Sequence, residues 1–153
     1  MITLKKGDTA PEFSAINQDG KMINLTDYKG KKVVLYFYPK DNTPGCTTQS
    51  CNLRDNYALL QKQGYEIFGI SQDSEKSHQK FIEKQALPFD LISDADHKVH
   101  HLYGTWALKK YMGKEYMGTV RTTFVIDEKG IIEKIFLKVK TKEHTTQILE
   151  SYQ

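Results

Sequence analysis

The run Val33-Val34-Leu35-Tyr36-Phe37-Tyr38 limits the fold of this chain more than any other feature. Six consecutive apolar, β-branched or aromatic residues leave no polar face for water, so the run reads as a strand covered on both sides. Pro39 stops it.

Strand-like and helix-like segments alternate around that run. After a turn over residues 40–45, Leu53, Tyr57 and Leu60 recur at i, i+4 and i+7, which gives one apolar face of a helix ending near Gly64. Residues 65–71 read as the next strand, and Ser74, followed by Glu75 and Ser77, opens a helix that carries Phe81 and Ile82 and is closed by Pro88. Together these make a βαβ unit, right-handed by the usual rule. Residues 122–126 and 131–139 are strand-like and flank a hairpin turn, Asp127-Glu128-Lys129-Gly130. A helix over about residues 142–152 ends the chain, and a short strand pair around residues 14–16 and 22–25 meets at Asp19-Gly20.

With no repeat, low-complexity tract or Pro/Gly/Ser linker, the 153 residues are expected to form one domain over 1–153. That length can bury a core without staples. The order of elements is what a thioredoxin-like fold needs: α/β, with a mixed central sheet flanked by helices. At 39% hydrophobic and 27% charged, the composition excludes the disordered and membrane classes. No stretch nears the roughly 18 apolar residues of a span, and no apolar run follows a basic start, so no signal or transit peptide is expected and the cytoplasm is the default compartment. The net charge of +3 comes from dispersed lysines, which read as solvated surface rather than as a nucleic-acid footprint.

Cys46 and Cys51 are the only cysteines. Two thiols five residues apart in a cytosolic chain suggest redox or metal chemistry. Cys46 falls where the strand's carboxyl end meets the helix's amino end, the place where open α/β sheets bind ligands. Unpaired N–H groups and the positive end of the helix dipole favour a thiolate there. Thr43, three residues earlier, can offer a hydroxyl to the sulfur or to a substrate oxygen, while Pro39, Pro44 and Gly45 shape a small, partly apolar pocket.

These residues match the Pro-x-x-x-Thr-x-x-Cys pattern of peroxiredoxins, and Thr43-Pro44-Gly45-Cys46-Thr47 with Cys51 resembles the bacterioferritin-comigratory, or Q-type, branch. The resemblance extends from Gly7-Asp8-Thr9-Ala10-Pro11-Glu12-Phe13 through Tyr103-Gly104 and Tyr116-Met117-Gly118 to Arg121-Thr122-Thr123-Phe124-Val125-Ile126-Asp127. It implies that Cys46 is the peroxidatic thiol and Cys51 the resolving one, that Thr43 hydrogen-bonds a hydroperoxide, and that Arg121 holds the thiolate and polarises the O–O bond. It implies thioredoxin or a similar dithiol as reductant, a monomer, and no flavin, haem or metal cofactor. An arginine suits its role because it is always charged and has donors for a sulfur and an oxygen at once. Relatives of other architectures often carry glutamate three residues after the peroxidatic cysteine, where this chain has Gln49.

If residues 46–51 are helical, the two Cα atoms stand about 8.7 Å apart with side chains about 140° apart around the axis. A disulfide needs less than about 7 Å, so bridging requires the first turns to unwind. Thr47, Thr48, Ser50 and Asn52 are mediocre helix formers, in keeping with fraying.

Two other functions share parts of this pattern. A general thiol-disulfide oxidoreductase would carry Cys-x-x-Cys, not the Cys-x4-Cys seen here; a thiol-based redox sensor could have the same thiol pair. Among other candidates, His97, His100 and His101 lack a ligand knuckle and read as solvated surface. Trp106, Tyr111, Tyr116 and Met117 read as packing and pocket lining, with residues 109–118 a loop near the site. Arg54-Asp55 reads as a solvated pair.

Overall fold

A computed structural model describes residues 2–152. Its centre is a seven-stranded mixed sheet in the order β2-β1-β5-β4-β3-β8-β9. The strands are β1 (Ser14–Asn17), β2 (Met22–Asn24), β3 (Lys32–Phe37), β4 (Tyr65–Ser71), β5 (Asp90–Ser93), β8 (Thr122–Ile126) and β9 (Ile132–Phe136). β3, β4 and β5 run parallel, while β8 lies antiparallel to β3 and β9 antiparallel to β8.

The apolar run Val33–Phe37 lies in β3, with Tyr38 just past its end, and β3 is flanked on both sides by other strands. Val33, Leu35 and Phe37 point into one core cluster with Phe13, Phe68, Tyr103 and Phe124; Val34, Tyr36 and Tyr38 point into another with Leu53, Leu60, Phe81 and Ile148. Alternate residues therefore fill both faces, which is why the run needs no polar position. The second cluster is covered by α1 (Pro44–Asp55), α2 (Tyr57–Lys62), α3 (Glu75–Gln85) and α5 (His144–Glu150). The first takes Val99 and Tyr103 from α4 (Lys98–Tyr103).

Gly69, mid-strand in β4, is required by this packing. A Cβ there would stand 2.7 Å from both the Tyr36 ring and Leu91, so glycine lets Tyr36 cross the strand and reach Ser50 on α1, 2.9 Å away.

Several boundaries differ from the sequence expectation. The helix after Cys46 is two helices, broken at Asn56, whose side chain donates to the Asn52 carbonyl. α3 begins at the Ser74 cap but ends because Ala86 turns left-handed (φ 52°), two residues before Pro88. β9 stops at Phe136, and the last helix is a short 3-10 turn followed by α5. The loop expected over residues 109–118 is instead an antiparallel hairpin of β6 (Trp106–Tyr111) and β7 (Lys114–Thr119), separate from the main sheet. Among the described residues no helix is long and apolar enough to cross a membrane.

Candidate active site

The turn between β3 and α1 is fixed from beneath. Asp41 is buried and accepts from Tyr38 Oη (2.6 Å), from Ser77 Oγ (2.8 Å) and from His78 Nδ1 (2.7 Å). His78 Nε2 meets the Ile92 carbonyl at 3.0 Å, so both ring nitrogens face oxygen atoms. The Asp41 N–H in turn donates to Asp73, which also accepts from Ser71 Oγ. Asp41, Asp73 and His78 lie close enough to share a metal ion. Their facing atoms are, however, engaged with one another and with Tyr38, Ser71 and Ser77, which makes the cluster a brace joining the turn to α3.

From this brace α1 starts at Pro44, with Thr43 as its N-cap in an extended conformation (ψ 151°). Pro44 suits the first helical position because it has no N–H to leave unpaired. The Thr43 hydroxyl does not cap the helix; it donates to the Lys40 carbonyl at 2.7 Å. The first turn of α1, which carries Cys46, is thus left without a side-chain cap.

Cys46 is 1% exposed and Cys51 is half-buried; both are free thiols on α1. Thr122 opens β8 opposite Phe37, so the antiparallel register sets Arg121 beside the Tyr38–Pro39 end of β3. From there Arg121 Nη2 donates to Cys46 Sγ at 3.2 Å, and Nη1 donates to Gln49 Oε1 at 2.6 Å. A Cβ on Gly45 would stand 3.4 Å from Arg121 Nη2, so this residue borders the guanidinium directly. Gln49 lies one turn past Cys46 and is fully buried; its Nε2 is the one buried side-chain nitrogen or oxygen without a partner among the described residues. Being neutral, its carboxamide holds the guanidinium without cancelling its charge.

Of the residues singled out from sequence, Cys46, Arg121, Gly45 and Pro44 come together, with Thr43 and Pro39 at the turn's rim. Cys51 faces away, its Sγ donating to Gln85 Oε1 on α3 at 3.3 Å. Arg54 pairs with Asp55 at the surface as expected, and its Nη1 also donates to the Gln85 carbonyl.

Two readings are corrected. His100 is not a surface group: it is fully buried, with Nδ1 2.6 Å from Asp94 and Nε2 2.9 Å from Thr119. Burial pushes the Asp94 carboxyl up, but the His100 imidazole and the backbone N–H groups of His100 and Val99 together outweigh it and hold the carboxyl below its usual value. Tyr111, Tyr116 and Met117 do not pack: they are 67%, 46% and 51% exposed, whereas Trp106 stacks on His97 with ring centroids 3.7 Å apart. The sequence reading also passed over the brace residues Asp41 and His78. A carboxylate two residues after the strand-stopping Pro39 was the available signal, but its partner lies 37 residues away.

Comparison with known proteins agrees with this geometry. Residues 6–135 match the AhpC/TSA family. The chain is 48% identical over 149 residues to peroxiredoxin Bcp of Escherichia coli K12, covering 97% of this chain and 96% of that one. It is 45% identical to peroxiredoxin Bcp of Bacillus subtilis over 150 residues, covering 98% and 96%. Among solved structures, peroxiredoxin Q of Xylella fastidiosa superposes with a TM-score of 0.92 at 29% identity, covering 99% and 97%. A peroxiredoxin Q of Xanthomonas campestris gives 0.88 at 32%, covering 99% and 96%. A buried thiol at a helix start, held by an arginine on a thioredoxin-like sheet, defines a thiol peroxidase, and the chain belongs to the AhpC/TSA family of such enzymes. Within that family its relatives are the Bcp, or Q-type, peroxiredoxins.

Proposed function

We propose that the chain acts as a single domain over residues 1–153 in which Cys46 is the peroxidatic thiol and Cys51 the resolving one. The observation that carries this reading is the 3.2 Å contact from Arg121 to Cys46 Sγ at the uncapped start of α1.

The Cys46 thiolate attacks one oxygen of a hydroperoxide, an S–O bond forms as the O–O bond breaks, and the electron pair goes to the leaving oxygen. That oxygen takes a proton and departs as water or an alcohol, leaving Cys46 as sulfenic acid. Arg121, fixed by Gln49, faces the negative charge that builds on the leaving oxygen. Thr43, its proton committed to Lys40, offers lone pairs to the hydroperoxide O–H. Pro39, Pro44 and Gly45 form the rim that keeps bulk water from the sulfur.

Both cysteines lie within α1, where they stand about 8.7 Å apart between Cα atoms. The first turns therefore unwind before Cys51 condenses with the sulfenic acid, releasing water and forming an intramolecular disulfide. A dithiol of the thioredoxin kind then restores both thiols, and no flavin, haem or metal takes part. The bridge closes within one chain, which suits a monomer, and two thiols kept free suit the cytoplasm.

The test is steady-state consumption of hydrogen peroxide and of an organic hydroperoxide with thioredoxin, its reductase and a nicotinamide reductant. Turnover by the native protein and none by Cys46→Ser is the expected result. Equal turnover by both would overturn the assignment.

A further inference from the structure

We infer that Gln85 is a positioning residue for the second half of the cycle: it holds the resolving thiol docked, and its grip sets how readily Cys51 leaves to meet the sulfenic acid. The inference rests on Cys51 being the resolving cysteine.

The contact has a defined polarity. An amide oxygen accepts and cannot donate, so at 3.3 Å from Gln85 Oε1 the Cys51 sulfur is the donor and is held as the thiol. A disulfide sulfur has no proton to give, so this contact exists only before resolution. It therefore favours the docked helix over the unwound one by whatever the hydrogen bond contributes.

The surroundings make this bond the last restraint at the edge of a rigid region. Just beyond Cys51, Asn52 is fastened to the C-terminal segment: its Nδ2 donates to the Lys142 carbonyl (2.9 Å) and its Oδ1 accepts from the Thr145 N–H (2.8 Å). Arg54 reaches the Gln85 carbonyl at 2.7 Å. Gln85 itself is fixed because it is the last residue of α3, which ends on left-handed Ala86 and then buries Leu87 and Phe89. Residues 52–54 are anchored, so the unwinding that resolution requires lies on the Pro44 side of Asn52, and Cys51 is the residue at that border.

Docking competes with release. While Cys51 stays on Gln85, the sulfenic acid at Cys46 remains open to a second hydroperoxide, which oxidises it to sulfinic acid. Gln85 thereby sets the balance between disulfide and overoxidation.

The experiment compares native protein with Gln85→Ala and Gln85→Glu in rapid mixing with hydrogen peroxide, followed by Trp106 fluorescence and by mass spectrometry of disulfide and sulfinic products. The first phase, oxidation of Cys46, reports whether the peroxidatic site is intact in each variant. Gln85→Ala removes the acceptor and should speed disulfide formation about threefold to tenfold, the range of one ordinary hydrogen bond, with less sulfinic product. Gln85→Glu supplies a charged acceptor, kept ionised by neighbouring Arg54, and should slow it and raise the sulfinic yield. A merely structural role would move both variants the same way, and such a result, or no change in either, overturns the inference. Cys51→Ser is included so that the two readings fail separately: if it consumes hydrogen peroxide with thioredoxin at the native steady-state rate, the assignment of Cys51 is wrong whatever Gln85 does.

Discussion

The two halves of α1 hold their sulfurs in opposite senses. At Cys46 the sulfur accepts from an arginine that is always charged. At Cys51, five residues along the same helix, the sulfur donates to a neutral amide and is kept as a thiol. The first half rests on a turn braced by Asp41 and His78 and carries no side-chain cap; the second is fastened to α3 and α5 through Arg54 and Asn52. In the proposed cycle one helix thus supplies a nucleophile at one end and a reserved partner at the other, each set by the polarity of the contact its sulfur makes.

The largest way to break this contrast is Arg121→Ala. It removes the donor at Cys46 and none at Cys51, and should lower the second-order rate with hydrogen peroxide by about 10²–10³, the usual loss on deleting a preorganised donor at a developing negative charge. Stopped-flow rates decide this; a loss under about threefold would place Arg121 outside the chemistry.

A smaller effect sharpens the contrast at the same end. Gln49→Glu puts a carboxylate where a neutral amide now holds the guanidinium, so the thiolate must share its cation. We expect roughly a tenfold slower first oxidation, about the effect of one partly screened charge at this range, with the fold intact by circular dichroism. A rate equal to or above the native one would show that the neutrality of Gln49 has no role.

The smallest effect concerns the wall behind the second half. His144 on α5 is fully buried, 2.8 Å from Thr123 Oγ1 and 2.9 Å from Gln147 Oε1. Burial first, and the Arg121 charge as well, push its pKa from 6.5 down to about 4 against the raising effect of Gln147. The folded protein keeps this ring neutral while the unfolded chain binds a proton below pH 6.5, so its contribution is fully present above that value. It is lost as pH falls towards 4. Urea unfolding across this window should show a steeper decline in the native protein than in His144→Asn; equal slopes would contradict the assignment.

Much of this was legible in the chain because the signals are local. The apolar run of β3, the Ser74 cap, the Asp127–Gly130 turn and the Thr43–Cys46 turn each declare themselves within a few residues. The β6–β7 hairpin did not: exposed over most of its outer half, it has no apolar alternation, and Lys109, Lys110 and Lys114 read as loop. His78, His100 and His144 were invisible as buried groups because what buries a histidine is a partner distant in sequence or a neighbouring turn, here Asp41, Asp94 and Thr123. Gln85 carried no signal at all, since its meaning comes only from α3 ending against α1. The same holds for Gln49, whose residue type was conspicuous but whose partner, Arg121, lies 72 positions away.

The most direct test of the division of labour on α1 is a thiol count. Reduced protein is mixed with one equivalent of hydrogen peroxide, and free thiols and intact mass are followed together. Rapid loss of both thiols, with a monomer two hydrogens lighter, is the result expected if Cys46 reacts and Cys51 resolves it within the chain. Thiols that stay free for minutes, or loss of one per chain with a disulfide-linked dimer, would contradict it.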